Sequence, residues 1–423
     1  MAGLLVIVGF AQSWVLALSI LNLCLISAIM ALGVNMQWGY AGLFNVGVMG
    51  FAALGGLAGV LVSMPPVTAA WSAGGGSMLL AGAIIAIAGF VIWQARKRIP
   101  RPWRTVLIAL IVVVTFGLVR HVADPAVDAI ESTDSARTGY LGGLGLPIIV
   151  SWVVGGILAA GAAWIVGKVA LGLRSDYLAI ATLGISEIIV AALKNEDWLT
   201  RGVKNVTGLP RPVPYEVDLQ QSASFVEFAN RVDIPVEDLS AIAVKLCYAA
   251  LFVIVLLIIL WLAETALRSP WGRMMRAIRD NEVAAEAMGK DVTRRHLQVF
   301  VLGSAVIGIA GAMLTTLDGQ FTPASYQPLR FTFLIWVMVI VGGSGNNWGA
   351  ILGGFVVWFF WVEAEPIGLW LMDTITTTLG EDNPVRLHLL ESAAHMRLIT
   401  MGLILLLVLR FTPRGLIPES SGR

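Results

Sequence analysis

The chain has 423 residues, of which 57% are hydrophobic and 13% are charged, and its formal net charge at pH 7 is +1. Soluble domains are about 45–50% apolar and about 25% charged, so this composition excludes a soluble globular protein and indicates a polytopic membrane protein. The net charge points to no class of partner, and the two cysteines, Cys24 and Cys247, predict neither a disulfide framework nor a metal site.

Eleven apolar runs approach the length of about 20 residues that a membrane-spanning helix needs. They cover residues 4–32, 42–63, 78–95, 105–120, 147–167, 177–193, 241–262, 297–317, 331–343, 348–363 and 395–410. The runs at 42–63 and 331–354 are rich in glycine, which indicates broken or re-entrant helices buried among the others. The sequence therefore predicts an all-α polytopic membrane protein with about 9–11 spans.

The loops divide the chain and orient it. We assign N-terminal spans with an outer loop to residues 1–140, and a core to residues 141–423 that contains a long outer loop at 194–240 and a polar inner segment at 264–296. Lysine and arginine collect in every second loop, and basic loops stay in the cytoplasm. This predicts an N-terminus outside and a C-terminus in the cytoplasm. The loop at 194–240 is expected to cover a pathway, to contact an external partner, or to form a passive cap.

The first candidate segment in chain order is GYAGLFNVGVMGF at residues 39–51, which contains Asn45 among glycines. A polar side chain in such a position needs partners, and glycines permit tight turns and close approach of backbones. Asn45 is therefore a candidate for a solute pathway or for a role in helix packing.

The next candidate segment lies at residues 174–187. Thr182 and Ser186 are four residues apart and share one face of a predicted helix, with Glu187 beside them. A charged side chain in an apolar helix costs about 2.5–3.5 kcal/mol on insertion scales, so Glu187 is expected to face the protein interior or water. All three residues are candidates for a solute pathway, and a structural hydrogen-bonding role is the alternative.

The polar segment 264–296 is the most basic part of the chain. Arg273, Arg276 and Arg279 recur every three residues and form one stripe of a helix predicted over residues 271–290. Its apolar face is expected to consist of Met275, Ile278, Ala285 and Met288. Gly289 is expected to end this helix. The helix is either an amphipathic helix on anionic lipid or a docking surface for a soluble cytoplasmic protein.

A fourth segment, VGGSGNNWGA at residues 341–350, lies between two apolar runs. Its glycines predict a tight interhelical turn, and they are Gly342, Gly343, Gly345 and Gly349. The four histidines show no metal-binding spacing and the chain has no phosphate-binding loop, so we expect no enzyme activity, no metal and no cofactor. If the protein moves a solute with ATP, another chain must hydrolyse the ATP.

Together these segments resemble the branched-chain amino acid ABC permeases of the LivM type. The matching segments follow in the family's order over nearly the whole chain: GYAGLFNVGVMGF, LRSDYLAIATLGISEIIV, WGRMMRAIRDNEVAAEAMGKDV, VGGSGNNWGAILGG and FTPRGLIP. Three segments depart from the family. TRGVKNVTG stands where TGGPNG is common, and Leu43-Phe44-Asn45-Val46 stands where Gln-Leu/Ser-Leu is more usual. The wider loop pattern EAAxxxG would place a glutamate at Val283.

The resemblance implies a permease of the bacterial inner membrane that imports leucine, isoleucine or valine by alternating access. Its implied partners are a second related permease, two cytoplasmic ATP-binding subunits, an external solute-binding protein and the lipid bilayer, without nucleic acid. The implied ATPase contact consists of Arg273, Arg276, Arg279, Glu282, Ala284, Ala285, Glu286 and Gly289. Two alternatives are a permease for urea or short amides and an ion-coupled secondary transporter that uses Glu187.

Overall fold

The structure is a computed structural model that describes residues 1–134, 139–377 and 383–419. Within these ranges, nine helical stretches are long and apolar enough to cross a membrane, and three further apolar helices are shorter. This confirms the prediction of an all-α polytopic membrane protein with about 9–11 spans.

The described residues form mostly α-helices, together with two short strands. The α-helices are α1 (Ala2–Ala11), α2 (Trp14–Ala41), α3 (Val48–Ser63), α4 (Thr68–Ala70), α5 (Gly76–Arg98), α6 (Arg101–Ser132), α7 (Ile148–Ala170), α8 (Ser175–Asn195), α9 (Asp197–Thr200), α10 (Glu216–Gln221), α11 (Ala223–Val232), α12 (Val236–Arg268), α13 (Pro270–Asp280), α14 (Glu282–Ala287), α15 (Val292–Asp318), α16 (Pro328–Gly342), α17 (Asn347–Thr376), α18 (Pro384–Ser392) and α19 (Met396–Phe411). The strands β1 (Val206–Thr207) and β2 (Gln320–Phe321) pair antiparallel, with Val206 opposite Phe321.

The helix α2 lies at the centre of the bundle. It is buried along most of its length and packs against α12, α15, α16 and α17. The helix α15 packs in turn against α3 and α7. We call the side that carries residues 264–296 the inner side, and the side that carries the loop 194–240 the outer side.

Glycines bring α3, α7 and α15 into backbone contact. A Cβ atom added to Gly55 of α3 would lie 1.9 Å from the carbonyl oxygen of Gly308 in α15. A Cβ atom added to Gly308 would lie 2.5 Å from the carbonyl oxygen of Gly155 in α7. Small residues at such crossings allow the close van der Waals packing that associates helices in lipid.

Three predicted element boundaries were wrong. The run 4–32 is two helices, because the Ser13 hydroxyl accepts a hydrogen bond from the amide of Val15 (3.2 Å) and starts α2 there. The predicted run 105–120 is the middle of the longer helix α6, which extends from Arg101 to Ser132. The helix 271–290 is interrupted at Asn281, whose side chain accepts from the amide of Ala284 (2.9 Å) and starts α14 as a second helix.

The hairpin of α5 and α6 lies at the periphery. The most apolar window of α6 has none of its residues buried, and that of α5 has few. Contact with the rest of the chain lies at the outer end, where Glu131 accepts a hydrogen bond from the amide of Trp198 (3.2 Å). By contrast α2 and α3, also within residues 1–140, pack against helices of residues 141–423. The division of the chain at residue 140 stays a prediction.

Candidate coupling site and helix junction

A buried chain of side-chain amides joins three helices at the inner side. Asn35 of α2 accepts a hydrogen bond from the amide of Gly345 (2.9 Å) and donates to the side chain of Asn347 (3.1 Å). Asn347 donates in turn to Glu264 of α12 (3.0 Å). Asn35 and Asn347 are fully buried, so each of these bonds satisfies a group that would be costly to leave unpaired. The inner ends of α2, α12 and α17 are therefore tied together.

The turn between α16 and α17 also holds the C-terminal segment, residues 412–419. The amides of Leu416 and Ile417 donate to the carbonyl oxygens of Val341 and Gly342, each at 2.9 Å. A Cβ atom on Gly343 would lie 2.3 Å from the Ile417 carbonyl oxygen.

All four glycines predicted for this turn lie at close contacts, with backbone atoms at Gly342, Gly343 and Gly349 and with the side chains of Glu419 and Arg279 at Gly345. Gly343 and Gly345 have φ angles of 117° and 84°, a region that favours glycine. A Cβ atom on Gly342 would lie 2.0 Å from the carbonyl oxygen of Gly349. The glycines thus let α16, α17 and the C-terminal segment meet.

The helix α13 is anchored to this cluster by Arg279. Its Nη1 lies 3.0 Å from Oε2 of Glu419 and also donates to the carbonyl oxygen of Gly39 at the end of α2. Burial disfavours the charge of Arg279, but the hydrogen bond and negative charge of Glu419 raise the pKa of Arg279 above its ordinary value. Met275 and Ile278 are buried, as predicted for the apolar face of this helix. A displacement of α13 must therefore act on α2 and on the C-terminal segment.

The helix α14 and its flanks point away from the bundle. Val283 is 76% and Met288 is 80% exposed, and only Ala285 of α14 is partly buried. The prediction that Met288 shares one apolar face with Met275 and Ile278 was wrong, because a new helix begins after Asn281 and Met288 is exposed. Gly289 has a φ angle of 76° and follows Met288, the C-cap of α14, so it does end this second helix.

The predicted coupling residues differ in exposure. Arg273 is exposed, as are Glu282, Ala284 and Glu286, and Gly289 is exposed after α14. Arg276 is half-buried and donates to the carbonyl oxygen of Leu267 (3.4 Å). The exposed surface, which we call the docking surface, consists of Arg273, Glu282, Val283, Ala284, Glu286, Ala287 and Met288.

Further into the bundle, the chain breaks between α2 and α3 at residues 42–47, which we call the helix junction. Asn45 is fully buried there. It donates to the side chain of Gln37 (2.8 Å) and accepts from the amide of Gly47 (2.9 Å). Its carbonyl oxygen accepts from the indole of Trp336 in α16 (3.0 Å). Asn45 therefore fixes the junction to α2 and α16.

Thr182 and Ser186 of α8 hold the beginning of α3. The Thr182 hydroxyl accepts from the amide of Val46 (3.0 Å), and the Ser186 hydroxyl accepts from the amide of Gly50 (2.8 Å). The first amides of a helix have no partner within the helix, and inside a membrane they must find one in the protein. The structure thus places Asn45, Thr182 and Ser186 in one set of internal hydrogen bonds at the helix junction.

Glu187 is separated from this set. It lies on the exposed face of α8, in a stripe with Tyr177, Ile180, Gly184 and Ile188. Thr182 and Ser186 are buried on the opposite face. Glu187 follows Ser186 in sequence but lies on another face of α8, because each residue of a helix is rotated relative to the one before it. Its role in a solute pathway stays a prediction.

Several residues that hold these two sites together were not predicted from the sequence. They are Asn35, Gln37, Glu264, Asn347 and Glu419. The signal that singled out Asn45, a polar side chain in an apolar run, also applies to Asn35 and Gln37. Among the described residues, no group of three or more histidine, cysteine or acidic side chains has the arrangement to hold a metal ion.

The sequence was compared with known protein families and proteins of known structure. A family model described as "Branched-chain amino acid transport system / permease component" matches residues 16–409. No solved structure matches the chain.

Curated relatives agree with this family. The chain is 28% identical over 207 residues to the high-affinity branched-chain amino acid transport system permease protein LivM of Escherichia coli K12, and the match covers 48% of each protein. It is 26% identical over 279 residues to a probable LivM of Methanocaldococcus jannaschii, covering 66% of this chain and 69% of that protein. It is 28% identical over 172 residues to a probable LivH of the same organism, covering 40% and 50%.

The match spans about half the length of the Escherichia coli relative. The family model, by contrast, covers most of this chain. The chain therefore belongs to the family of permease components of branched-chain amino acid transport systems.

Proposed function

We propose that this chain is a membrane permease subunit of an ATP-binding-cassette importer for leucine, isoleucine and valine in the bacterial inner membrane. It works with a second related permease, two ATP-binding subunits and an external solute-binding protein. The observation that carries the proposal is an exposed docking surface connected through Arg279 to the centre of the bundle. The family membership and the relatives named LivM support the substrate.

The docking surface suits a soluble protein partner. Val283, Ala287 and Met288 expose apolar side chains, and each follows an exposed glutamate, Glu282 or Glu286, within two residues. Charged residues around an exposed apolar centre are the usual composition of a protein interface. We expect the ATP-binding subunits to dock on this surface, with Arg273 at its rim. Arg279 lies beneath the surface and transmits a displacement of α13 to α2 and the C-terminal segment.

A series of hydrogen bonds connects the docking surface to the helices in the membrane. The route runs from α13 through Arg279 to Gly39 of α2, and from Gln37 of α2 to Asn45 at the helix junction. Trp336 continues it into α16. In alternating access, ATP-driven closure of the ATP-binding subunits shifts α13 and thereby biases the junction between two arrangements. Such coupling requires contacts that differ between the two states.

The exposed stripe of α8 supplies a face for the second permease. A carboxylate that faces lipid at mid-helix costs about 2.5–3.5 kcal/mol, whereas one beside a water-filled pathway does not. Glu187 lies near the middle of α8, among Ile180, Gly184 and Ile188. We propose that this stripe faces the second permease across the solute pathway. The inner side then faces the cytoplasm, with the N-terminus outside and the C-terminus inside.

Purification of the tagged chain from its native membrane in mild detergent tests the proposal. We expect an ATP-binding subunit and a second permease to co-purify, and leucine with its binding protein to stimulate ATP hydrolysis. Val283→Asp or Met288→Asp should release the ATP-binding subunit, because each places a charge in the apolar centre. Val217→Asp on the outer side, where the valine is 57% exposed, is the matched control.

The alternatives predict other results of the same purification. If urea or short amides stimulate ATP hydrolysis and leucine does not, the chain is still part of an importer, but its substrate is not a branched-chain amino acid. Recovery of the chain alone, with uptake driven by an ion gradient, would establish a secondary transporter instead.

A further inference from the structure

An open groove of about 530 Å³ lies at the inner end of the bundle, where α7, α13 and α15 contribute its lining residues. The helix α15 has 27 residues and is therefore about 40 Å long, whereas the hydrocarbon core of a bilayer measures about 30 Å. The groove extends along α15 from Arg294 in its first turn to Leu302, about 12 Å further toward the middle of the membrane. It therefore crosses the boundary between lipid head groups and acyl chains.

The polar end of the groove is positively charged. Arg294 is exposed and Arg295 is half-buried, and among the described residues neither forms an ion pair. None of the described residues that line the groove is acidic. The nearest acidic residue in sequence, Asp291, accepts a hydrogen bond from the backbone amide of Arg294 (2.9 Å). A third cation, Lys168, places its Nζ 5.0 Å from the ring of Trp164, which also lines the groove.

The rest of the groove is apolar and aromatic. Leu297, Val301 and Leu302 lie along the inner half of α15, and Trp164 and Trp271 come from α7 and α13. Tryptophan is enriched where a membrane meets water, because its ring is apolar and its N–H is polar. The groove therefore combines an anion-binding end with a wall suited to hydrocarbon.

The chemistry of the two ends specifies the occupant. Guanidinium groups bind phosphate through paired N–H donors. A soluble anion would satisfy the arginines but leave the apolar wall uncovered. A zwitterionic phospholipid would cover the wall but bring a positive charge beside the arginines. An anionic phospholipid satisfies both ends, and the surrounding membrane supplies it.

We propose that this groove binds one anionic phospholipid of the inner leaflet, with its phosphate on Arg294 and Arg295 and an acyl chain along Leu297, Val301 and Leu302. Basic pockets between membrane helices on the cytoplasmic side bind anionic head groups in this way. No residue of the docking surface lines the groove. The lipid and the ATP-binding subunits therefore use separate surfaces of the same segment.

The bound lipid would hold the beginning of α13. Trp271, the second residue of α13, lines the groove and donates from its indole N–H to the side-chain oxygen of Gln298 in α15 (3.3 Å). Arg295 donates to the same oxygen (3.0 Å). A phosphate on Arg295 thus acts on the contact that fixes α13 to α15, and α13 carries Arg279. This effect on coupling rests on the proposed function, whereas lipid binding does not.

Native mass spectrometry of the purified full chain with added phosphatidylglycerol tests the site. The comparison ligands are phosphatidylcholine, which is zwitterionic, and glycerol 3-phosphate, which has no acyl chain. Phosphatidylglycerol should bind more tightly than either. The double variant Arg294→Gln/Arg295→Gln should weaken its first binding step about 20-fold, because each basic residue near a membrane surface contributes about fivefold to the attraction of anionic lipid.

A second variant keeps both arginines and obstructs the apolar wall. Leu302, which is 46% exposed, is replaced by Trp, and this should weaken phosphatidylglycerol binding severalfold. The matched control for the arginines is Lys290→Gln/Arg414→Gln, which removes two exposed positive charges outside the groove. The control should bind phosphatidylglycerol like the unaltered chain.

Three results would overturn the proposal. One is phosphatidylglycerol binding that is unaltered in both groove variants, which would show general attraction to a basic surface. Another is glycerol 3-phosphate binding as tight as that of the lipid, which would show a site for soluble anions. The third is loss of the lipid from the co-purified complex, because a protein subunit would then cover the groove.

Reconstitution of the complex in phosphatidylcholine vesicles, with and without phosphatidylglycerol, separates this inference from the proposed function. Phosphatidylglycerol should raise leucine uptake per ATP hydrolysed severalfold in the unaltered complex and not in Arg294→Gln/Arg295→Gln. An equal rise in both would overturn the effect on coupling. If the lipid binds through the arginines but ATP drives no leucine uptake, the lipid site stands and the proposed function fails. If ATP drives uptake and both groove variants bind lipid normally, the proposed function stands and this inference fails.

Discussion

Arg279 and Glu419 form an ion pair of 3.0 Å across 140 residues of sequence. The same guanidinium group also donates to the carbonyl oxygen of Gly39. A Cβ atom on Gly345 would lie 2.9 Å from the Glu419 carboxylate, so the turn between α16 and α17 closes over the pair. One arginine thus joins the helix beneath the docking surface to three segments of the bundle.

Replacing Glu419 by Gln should lower the amount of leucine transported per ATP hydrolysed. The change keeps the shape and removes the charge that holds Arg279. Both side chains are about a quarter to a third exposed, so the loss of stability should stay at or below about 1 kcal/mol. Transport and hydrolysis measured together in proteoliposomes check this. The control is Glu391→Gln at an exposed position, and equal ratios in both variants would contradict the prediction.

Ser186→Ala should destabilise the purified chain by about 1–3 kcal/mol, because it leaves the amide of Gly50 buried and unpaired. Thr182→Val should act in the same direction through the amide of Val46. The thermal unfolding midpoint in one detergent checks both variants. Ser392→Ala is the matched control, since that hydroxyl is exposed and bonds to the carbonyl oxygen of His388 in its own helix. A Ser186→Ala midpoint equal to that of the control would refute the structural role.

Gly55→Ala should destabilise the bundle by at least about 1–3 kcal/mol, because its methyl group would meet the backbone of Gly308 at 1.9 Å. Gly161→Ala on α7 is the control, since nothing lies within 4 Å of a Cβ atom there. The control should be neutral or more stable by up to about 1 kcal/mol, because alanine favours the helix. The yield of folded protein and its unfolding midpoint check the pair, and similar values for both would contradict the packing argument.

Glu187→Cys in the assembled importer should react with a membrane-impermeant maleimide, because the proposed pathway keeps this position in contact with water. Ile165→Cys on α7, where the isoleucine is 62% exposed, should not react. Both variants are made with Cys247→Ser, because Cys247 is exposed, whereas Cys24 is buried. Equal protection of both positions would place Glu187 against lipid or inside a dry interface.

Much of the fold follows from local patterns in the sequence. The long apolar runs predicted the spans, the glycines predicted the short helices α3 and α16, and the spacing of Met275 and Ile278 predicted the buried face of α13. The break at Asn281 was missed although asparagine is a favourable helix start, because the arginine spacing suggested one continuous helix.

The partners of polar side chains could not be predicted in the same way. Asn35 and Asn347 are 312 residues apart, and Arg279 finds Glu419 only after the C-terminal segment returns to the inner side. Local spacing contains no information on such pairs. The exposure of Glu187 could not be predicted either, because it depends on which face of α8 the other helices pack against.

The buried amides of α2 impose an order on biogenesis. The helix α2 is synthesised early. Phe300, whose carbonyl oxygen accepts a hydrogen bond from Gln37, is synthesised 263 residues later, and Asn347, the partner of Asn35, later still. At about 5–20 residues per second, synthesis takes roughly 15–60 s to supply that last partner. During this interval these side chains lack the partners that they have in the folded chain. The first long helix to be made is therefore among the last to reach its final surroundings.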